Sequence, residues 1–445
     1  MKKLLSLALA IVIALSMAAC GGGNSVSTGT TSAPAASDSE ASGPKASGTI
    51  TVYGWGSGSE LEAHKQIVED FNALNTGVKA NLEIVPSTEY STKLKAMLAA
   101  GTAPDVIMTG VDDNHFYYLN NNFEDLSPYI ERDSFDLEGI FTPGATDGYV
   151  YSDGARWGLP FVANTMVIAY NKEYFDKYGV EYPTGDWDWN EFREVCEKLT
   201  SGEGASKEYG MTYHWATTAL AHYSAGGQLF DISTSPAKMM ANDPLVIEGV
   251  KMYTDLIKDG YYPDNAAVQN MPSETRFFSG KCGMIFFFPW DIANFSGSLN
   301  GVFEWDIVSL PKDATGTSTT LQWNTGYAMN ADSKNKDAAW EFIKYACGSE
   351  AAAEVITNCG MPVVQTVAAN WGEGLIPNTE ISRQLFVDVM ATSKQTILGG
   401  SFNEIGDLYS TAWNDIVYNG ADVTERMEQL QEEAEPVLAR LTAEK

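Results

Sequence analysis

The sequence predicts an α/β protein built as two lobes, and three observations support this. Residues 49–108 alternate strand and helix patterns in the order β-α-β-α-β, which implies right-handed crossovers and a parallel sheet. Residues 49–445 are too many for one hydrophobic core, since single cores stop growing near about 250–300 residues. Aromatic residues are plentiful, with 11 Trp and 21 Tyr, and several stand beside Gly, Asn or Asp instead of in apolar runs. That placement puts flat apolar faces at loop ends.

The N-terminus comes first. Lys2 and Lys3 precede an apolar run, Leu4 to Met17, that is shorter than the roughly 20 residues of a bilayer span. Ala18 and Ala19 follow, then Cys20-Gly21-Gly22-Gly23, the order of a secretory signal that is removed. A cysteine directly after small residues resembles the lipobox of bacterial lipoproteins, here with Met17 where that motif usually has Leu. The resemblance implies a signal peptide over 1–19 and diacylation of Cys20 as the new first residue. The alternative is an ordinary signal with a chance cysteine. Residues 21–48 hold no aromatic and almost no large aliphatic residue, so with Cys20 they make a flexible leash over 20–48. Its r.m.s. reach is roughly 30 Å, from about 5–6 Å times the square root of its length.

Without the first 19 residues the 28 basic side chains fall to 26 against 58 acidic ones, a net charge of −32. Such a surface excludes nucleic acid, whose phosphates need Lys and Arg, and disfavours anionic lipids and anionic substrates. Of the remaining cysteines, Cys347 and Cys359 bracket a helical pattern that would hold them roughly 15 Å apart. That exceeds the span of about 4.4–6.8 Å that a disulfide bridges. Cys196 falls on an apolar helix face, and all four, with Cys282, read as small buried residues. Neither these nor His64, His115, His214 and His222 match a zinc spacing, and no metal or cofactor is expected.

The strand Thr49–Tyr53 runs into Gly54-Trp55-Gly56-Ser57-Gly58, and a helix opens at Ser59 with Glu62 completing a capping box. Val78 to Val85 alternates as a half-buried strand. A second helix carries Leu94, Met97 and Leu98 and ends at Gly101, and Asp105 to Met108 is the third strand. Ligands of such sheets bind beyond the carboxyl ends of the strands, which selects Trp55–Glu60, Ser87–Tyr90 and Thr109–Asn114 as one rim. Gly54-x-Gly56 is not a dinucleotide fingerprint, because Ser59 replaces its third glycine and no acidic residue closes the second strand. Further on, Thr165 to Tyr170 reads as a strand and Asn171-Lys172 opens a helix. Asp186, Asp188, Asn190 and Glu197 occupy EF-hand positions, but Glu191 stands where glycine is required, and Asp188 with Glu191 makes a better capping box. Trp187 and Trp189 read as packing under that helix.

GLPFVANTMVIAYNKEYFDKYGV (158–180), with DWDWNEFREVCEKLT behind it, resembles the family 1 extracellular solute-binding proteins of carbohydrate ABC transporters. Further landmarks in the same order are GGQLFD (226–231), NDPLVIEGVKMYTDLIKDGYYPD (242–264), FFSGKCGMIFFFPWDI (277–292), WDIVSLPKDATG (305–316), GYAMNADSKNKDAAWEFIKYACGSEAA and Gly360-Met361-Pro362. The resemblance is read over residues 49–445. The resemblance implies a two-lobed, type II periplasmic-binding-protein-like fold with the ligand cleft between the lobes. It places crossings near 160–165, 308–311 and 360–364. One lobe is then 49–162 plus 311–360, and the other 163–310 plus 361–445. It also implies a monomer on the extracytoplasmic face of the cell membrane, anchored by lipid, that binds carbohydrate and delivers it to permease subunits.

A sugar cleft needs aromatic faces for C–H surfaces and fixed polar groups for hydroxyls. The strand-end rim supplies Trp55, Ser57, Glu60 and Tyr90. Asp112 matches a carboxylate that the family often uses for two hydroxyls, and Trp290, followed by Asp291, matches its usual stacking aromatic. Asn164 lies at the first crossing, His214-Trp215 follow the 209–213 strand, Trp323-Asn324 begin the return to the first lobe, and Met361 marks the last crossing. Phe402 and Glu404 fall near a family cleft loop. Each has a structural alternative: core packing for Trp290, helix capping for Asp112 or Asp113, and a satisfied or solvated ring for His214. An anchored glycoside hydrolase would also carry Trp and paired carboxylates, yet no GxSxG or HExxH motif is present. A polyamine is the other ligand class that carboxylates and aromatics suit, and a passive surface scaffold is the remaining class.

Overall fold

The computed structural model describes residues 46–110, 117–118, 120–151, 153–214, 216–231, 234, 236–395 and 403–442. Three parallel strands open the chain: β1 (Gly48–Trp55), β2 (Val78–Val85) and β3 (Val106–Gly110), with β1 in the middle. Ile50 and Val52 of β1 point one way into the core, and Val106 and Met108 of β3 join them. Gly101, with φ 65°, ends the helix Ser87–Ala100 in the left-handed conformation that glycine adopts without penalty. The helix before β2 spans Gly58–Ala73. Its cap is Ser57, two residues before the Ser59 of the expected capping box, and Ser57 makes no side-chain capping hydrogen bond.

Four later segments complete this larger sheet. β4 (Leu159–Thr165) and β11 (Thr320–Met329) run antiparallel to each other, and β11 also runs antiparallel to β3. The order among the described residues is β12-β4-β11-β3-β1-β2, with β12 (Met361–Pro362) on β4 and β13 (Ser393–Gln395) on β11. Asp105 binds the base of the sheet together. Its carboxylate accepts from the Thr51 amide at 3.0 Å, the Ser333 hydroxyl at 2.6 Å and the Asn335 amide at 3.2 Å.

The smaller sheet has the order β10-β5-β9-β6, from β5 (Val167–Asn171), β6 (Tyr209–Met211), β9 (Cys282–Phe287) and β10 (Trp305–Val308). β5, β6 and β9 are buried on both faces. Ile168, Met284 and Phe286 face a cluster that takes in the C-terminal helices Asn403–Tyr418 and Val423–Thr442, whereas Ala169, Ile285 and Phe287 face the other way. A two-stranded ribbon, β7 (Phe230–Asp231) with β8 (Lys238–Met239), packs beside the last helix. The helix Lys172–Tyr178 is capped by Asn171, and Trp189–Lys198 by the reciprocal Asp188–Glu191 box. Trp187 and Trp189 are buried against Phe192, as packing under that helix requires. Asp186 pairs with Lys312 at 2.6 Å.

The predicted strand Thr165–Tyr170 is two strands that break at Met166. There the Met166 amide donates to the Leu321 carbonyl at 2.9 Å and the Thr320 hydroxyl donates to the Met166 carbonyl. The first crossing is thereby tied to the start of β11, where the chain returns. β12 and β13 both belong to the larger sheet. After the helix Gln365–Glu373, the segment to Met390 bridges the two parts. Phe386 meets Trp371 at 6.1 Å and Phe287 at 5.6 Å, and Asn378 donates to the Ser296 carbonyl at 3.4 Å. Cys196, Cys282 and Cys347 are buried free thiols, and Cys359 is half-buried and free.

Candidate functional site

The carboxyl end of β1 delivers Trp55, half-buried, to the edge of an aromatic cluster in the larger sheet's lobe. Its ring meets Tyr90 edge-on at 4.7 Å, and Tyr90 stacks on Tyr53 at 5.1 Å. Tyr90 is itself buried and its hydroxyl donates to the Met108 carbonyl, so its part in this rim is to support Trp55. Two residues past β1, Ser57 is exposed at the start of the first helix, and Glu60 sits half-buried in its first turn. Burial raises the Glu60 carboxyl above its ordinary value, against the opposing pull of the Ser57 backbone N–H.

Trp323 of β11 lies opposite Asn164 of β4 in the antiparallel register, so the two side chains share a face. Asn164 is buried and its Oδ1 has no hydrogen-bond partner. It lies over Gly360, where an added Cβ would come within 2.8 Å of that oxygen and 2.6 Å of Val162. Trp323 packs both on the Tyr53–Tyr90 cluster and on the core behind the smaller sheet. Its ring meets Phe288 at 5.5 Å and Trp290 at 6.3 Å, both near edge-on.

Phe288 and Trp290 follow β9. Their rings stack at 4.3 Å and 14°, with the outer one, Trp290, 38% exposed. Asp291 closes the 3-10 turn Pro289–Asp291, its Oδ2 accepting from the Phe288 amide at 3.1 Å. Burial pushes its carboxyl up to about 7. His214 stands behind this stack, its ring 5.4 Å from Phe288, and its Nδ1 accepts from the Ala216 amide at 3.1 Å. Burial lowers it to about 4, so the ring is neutral at physiological pH.

The structure thus brings Trp323 together with Asn164, Trp290, Asp291 and His214, and places Trp55, Ser57, Glu60 and Tyr90 along the first-lobe edge. Three predicted site residues lie elsewhere. Asn324 pairs with Ala163 and points to the opposite face of β11 from Trp323, where its amide donates to the Ala145 carbonyl at 2.9 Å. Met361 is fully buried in the larger sheet. Glu404 is exposed and pairs with Arg440 at 2.6 Å. Asp112, Trp215, Phe402 and Cys20 lie outside the described residues. Sequence reasoning passed over Phe288, the platform under Trp290; its signal was its place as the last residue of an apolar strand just before Pro289. Among the described residues no group of three His, Cys, Asp or Glu is arranged to hold a metal ion, and no helix is long and apolar enough to cross a membrane.

A family model of bacterial extracellular solute-binding proteins matches residues 55–353, from the Trp55 rim through the Phe288–Trp290 turn and past β11. The chain belongs to that family. The erythritol/L-threitol-binding protein of Mycolicibacterium smegmatis is 25% identical over 419 residues, covering 83% of this chain and 82% of that one. The maltotriose-binding protein of Pyrococcus abyssi is 26% identical over 300 residues, covering 64% and 60%. Among solved structures, the cyclic alpha-maltosyl-1,6-maltose binding protein from Arthrobacter globiformis aligns with a TM-score of 0.74 at 20% identity, covering 88% of this chain and all of that one. An ABC substrate-binding protein from Listeria monocytogenes in complex with cycloalternan aligns at 0.71 and 22%, covering 88% and 98%. These likenesses show the fold, the two-lobed type II architecture of periplasmic sugar-binding proteins.

Proposed function

We propose that this protein captures a sugar or oligosaccharide between its lobes and hands it to an ABC importer after hinge closure. The observation that carries this reading is the aromatic bridge: Trp323 of the larger sheet meets the Phe288–Trp290 stack of the smaller one. An exposed flat indole suits the C–H face of a pyranose, and buried groups with spare acceptors, such as Asn164 Oδ1, suit hydroxyls. The similar proteins named above bind polyols and oligosaccharides, which supports the same class here. Asp112, Trp215 and Phe402 are proposed to complete the site. Processing at Cys20 and diacylation would leave a monomer on a leash at the outer face of the membrane, within reach of its permease.

A carboxyl raised by burial, such as Asp291, is also what the general acid of a glycoside hydrolase would present, and this gives a second reading its footing. Calorimetry and thermal shift with maltotriose, erythritol, galacto-oligosaccharides and spermidine, followed by product analysis, separate the readings. A carbohydrate that stabilises the fold and is recovered intact supports transport binding. Cleaved sugar would establish the hydrolase, and stabilisation by spermidine alone would establish a polyamine carrier.

A further inference from the structure

Trp290 is the most exposed ring of the aromatic bridge, so the surrounding core does little to fix its orientation. Two features do that work. Its face lies on Phe288 at 4.3 Å, and Phe288 is fully buried. The turn that carries it is closed at both ends by one residue: the Asp291 amide donates to the Phe288 carbonyl at 3.0 Å, and Asp291 Oδ2 accepts from the Phe288 amide at 3.1 Å. Pro289, inside the turn, fixes its own φ and offers no competing donor.

Resting on the sugar-binding reading, we infer that Asp291 is a positioning residue, its carboxylate clamping the Phe288–Trp290 stack in the orientation that receives a sugar ring. The charge state of the clamp changes near neutral pH. Burial raises the carboxyl to about 7; the Phe288 N–H opposes that, the Glu274 carboxylate adds to it, and the Trp290 indole N–H opposes it. Glu274, on the helix Ser273–Phe278, is the charged group among the described residues whose field acts on Asp291, and it accepts from Asn294 at 3.4 Å. The ionised form is the tighter clamp, because a charged acceptor makes the stronger hydrogen bond.

The test uses the intact protein labelled with 15N-tryptophan. Trp290→Phe identifies the Trp290 indole resonance by its disappearance. In the wild type that resonance should move with pH, with a midpoint near 7, and in Asp291→Asn it should stay fixed. Asparagine keeps the volume and an acceptor, so the fold should persist, which the melting temperature checks. With maltotriose and a galacto-oligosaccharide mixture as probes, wild-type affinity should rise from about pH 6 to about pH 8 while that of Asp291→Asn stays flat. Asp291→Ala should bind about tenfold more weakly. An indole that does not titrate in the wild type, or titrates unchanged in Asp291→Asn, overturns the clamp, as does wild-type affinity in Asp291→Ala. If neither sugar binds the wild type the sugar reading fails, and the indole titration still decides the clamp.

Discussion

At the scale of single residues, adjacent positions on a strand have opposite fates. Trp323 and Asn324 looked equivalent in the sequence, but a strand turns successive side chains to opposite faces. Only register against β4 shows that Trp323 joins Asn164 while Asn324 holds the 144–145 turn. Trp290→Ala should weaken sugar binding by about 2 kcal/mol or more with the melting temperature nearly unchanged, because an indole 38% exposed leaves no buried cavity. Equal affinity by calorimetry, or a collapsed melting temperature, would return Trp290 to the core. His64 and His222 set a second expectation. Both are buried, and burial lowers them to about 4 and about 3. An unfolded histidine titrates near about 6.5, so below that pH the unfolded chain takes up protons that the folded one refuses. Their stabilising effect is present above pH ~6.5 and falls toward pH ~4, by up to about 1.4 kcal/mol per pH unit for each. Asp291, raised to about 7, works the other way, its contribution being lost as pH rises. The melting temperature should therefore fall between pH 6.5 and 4, less steeply in His222→Gln; a flat profile would contradict this.

At the scale of elements, legibility followed how local the pattern was. β1, β2 and β3 were readable because each carries its own alternation or apolar run between turn residues. β12 and β13 were not. Two apolar residues and the sequence Ser393-Lys394-Gln395 have no periodicity to show which sheet they join, and only pairing with β4 and β11 decides it. The bridging segment 374–390 was unforeseen for the same reason. Phe386, fully buried between Trp371 and Phe287, is its main attachment. Phe386→Ala should cost about 3–5 kcal/mol in urea unfolding. A cost below about 1 kcal/mol would mean that this segment lies on the core without belonging to it.

At the scale of the whole molecule, the proposed anchor at Cys20 gives a direct prediction. Cys20→Ala should move the protein from the membrane to the soluble fraction and leave sugar affinity unchanged, since the leash and the binding rim share no residue. Weaker binding in that variant would mean that the leash takes part in the site. The two sheets are joined at Met166 and the start of β11, and hinge motion concentrates at such short connections. A sugar that touches both lobes binds the closed form better and shifts the population toward it. Small-angle scattering of residues 49–445, with and without a saturating sugar from the panel, tests this most directly. The radius of gyration should shrink on binding, and Trp290→Ala should need more sugar for the same change; an unchanged radius with sugar demonstrably bound would contradict capture by closure.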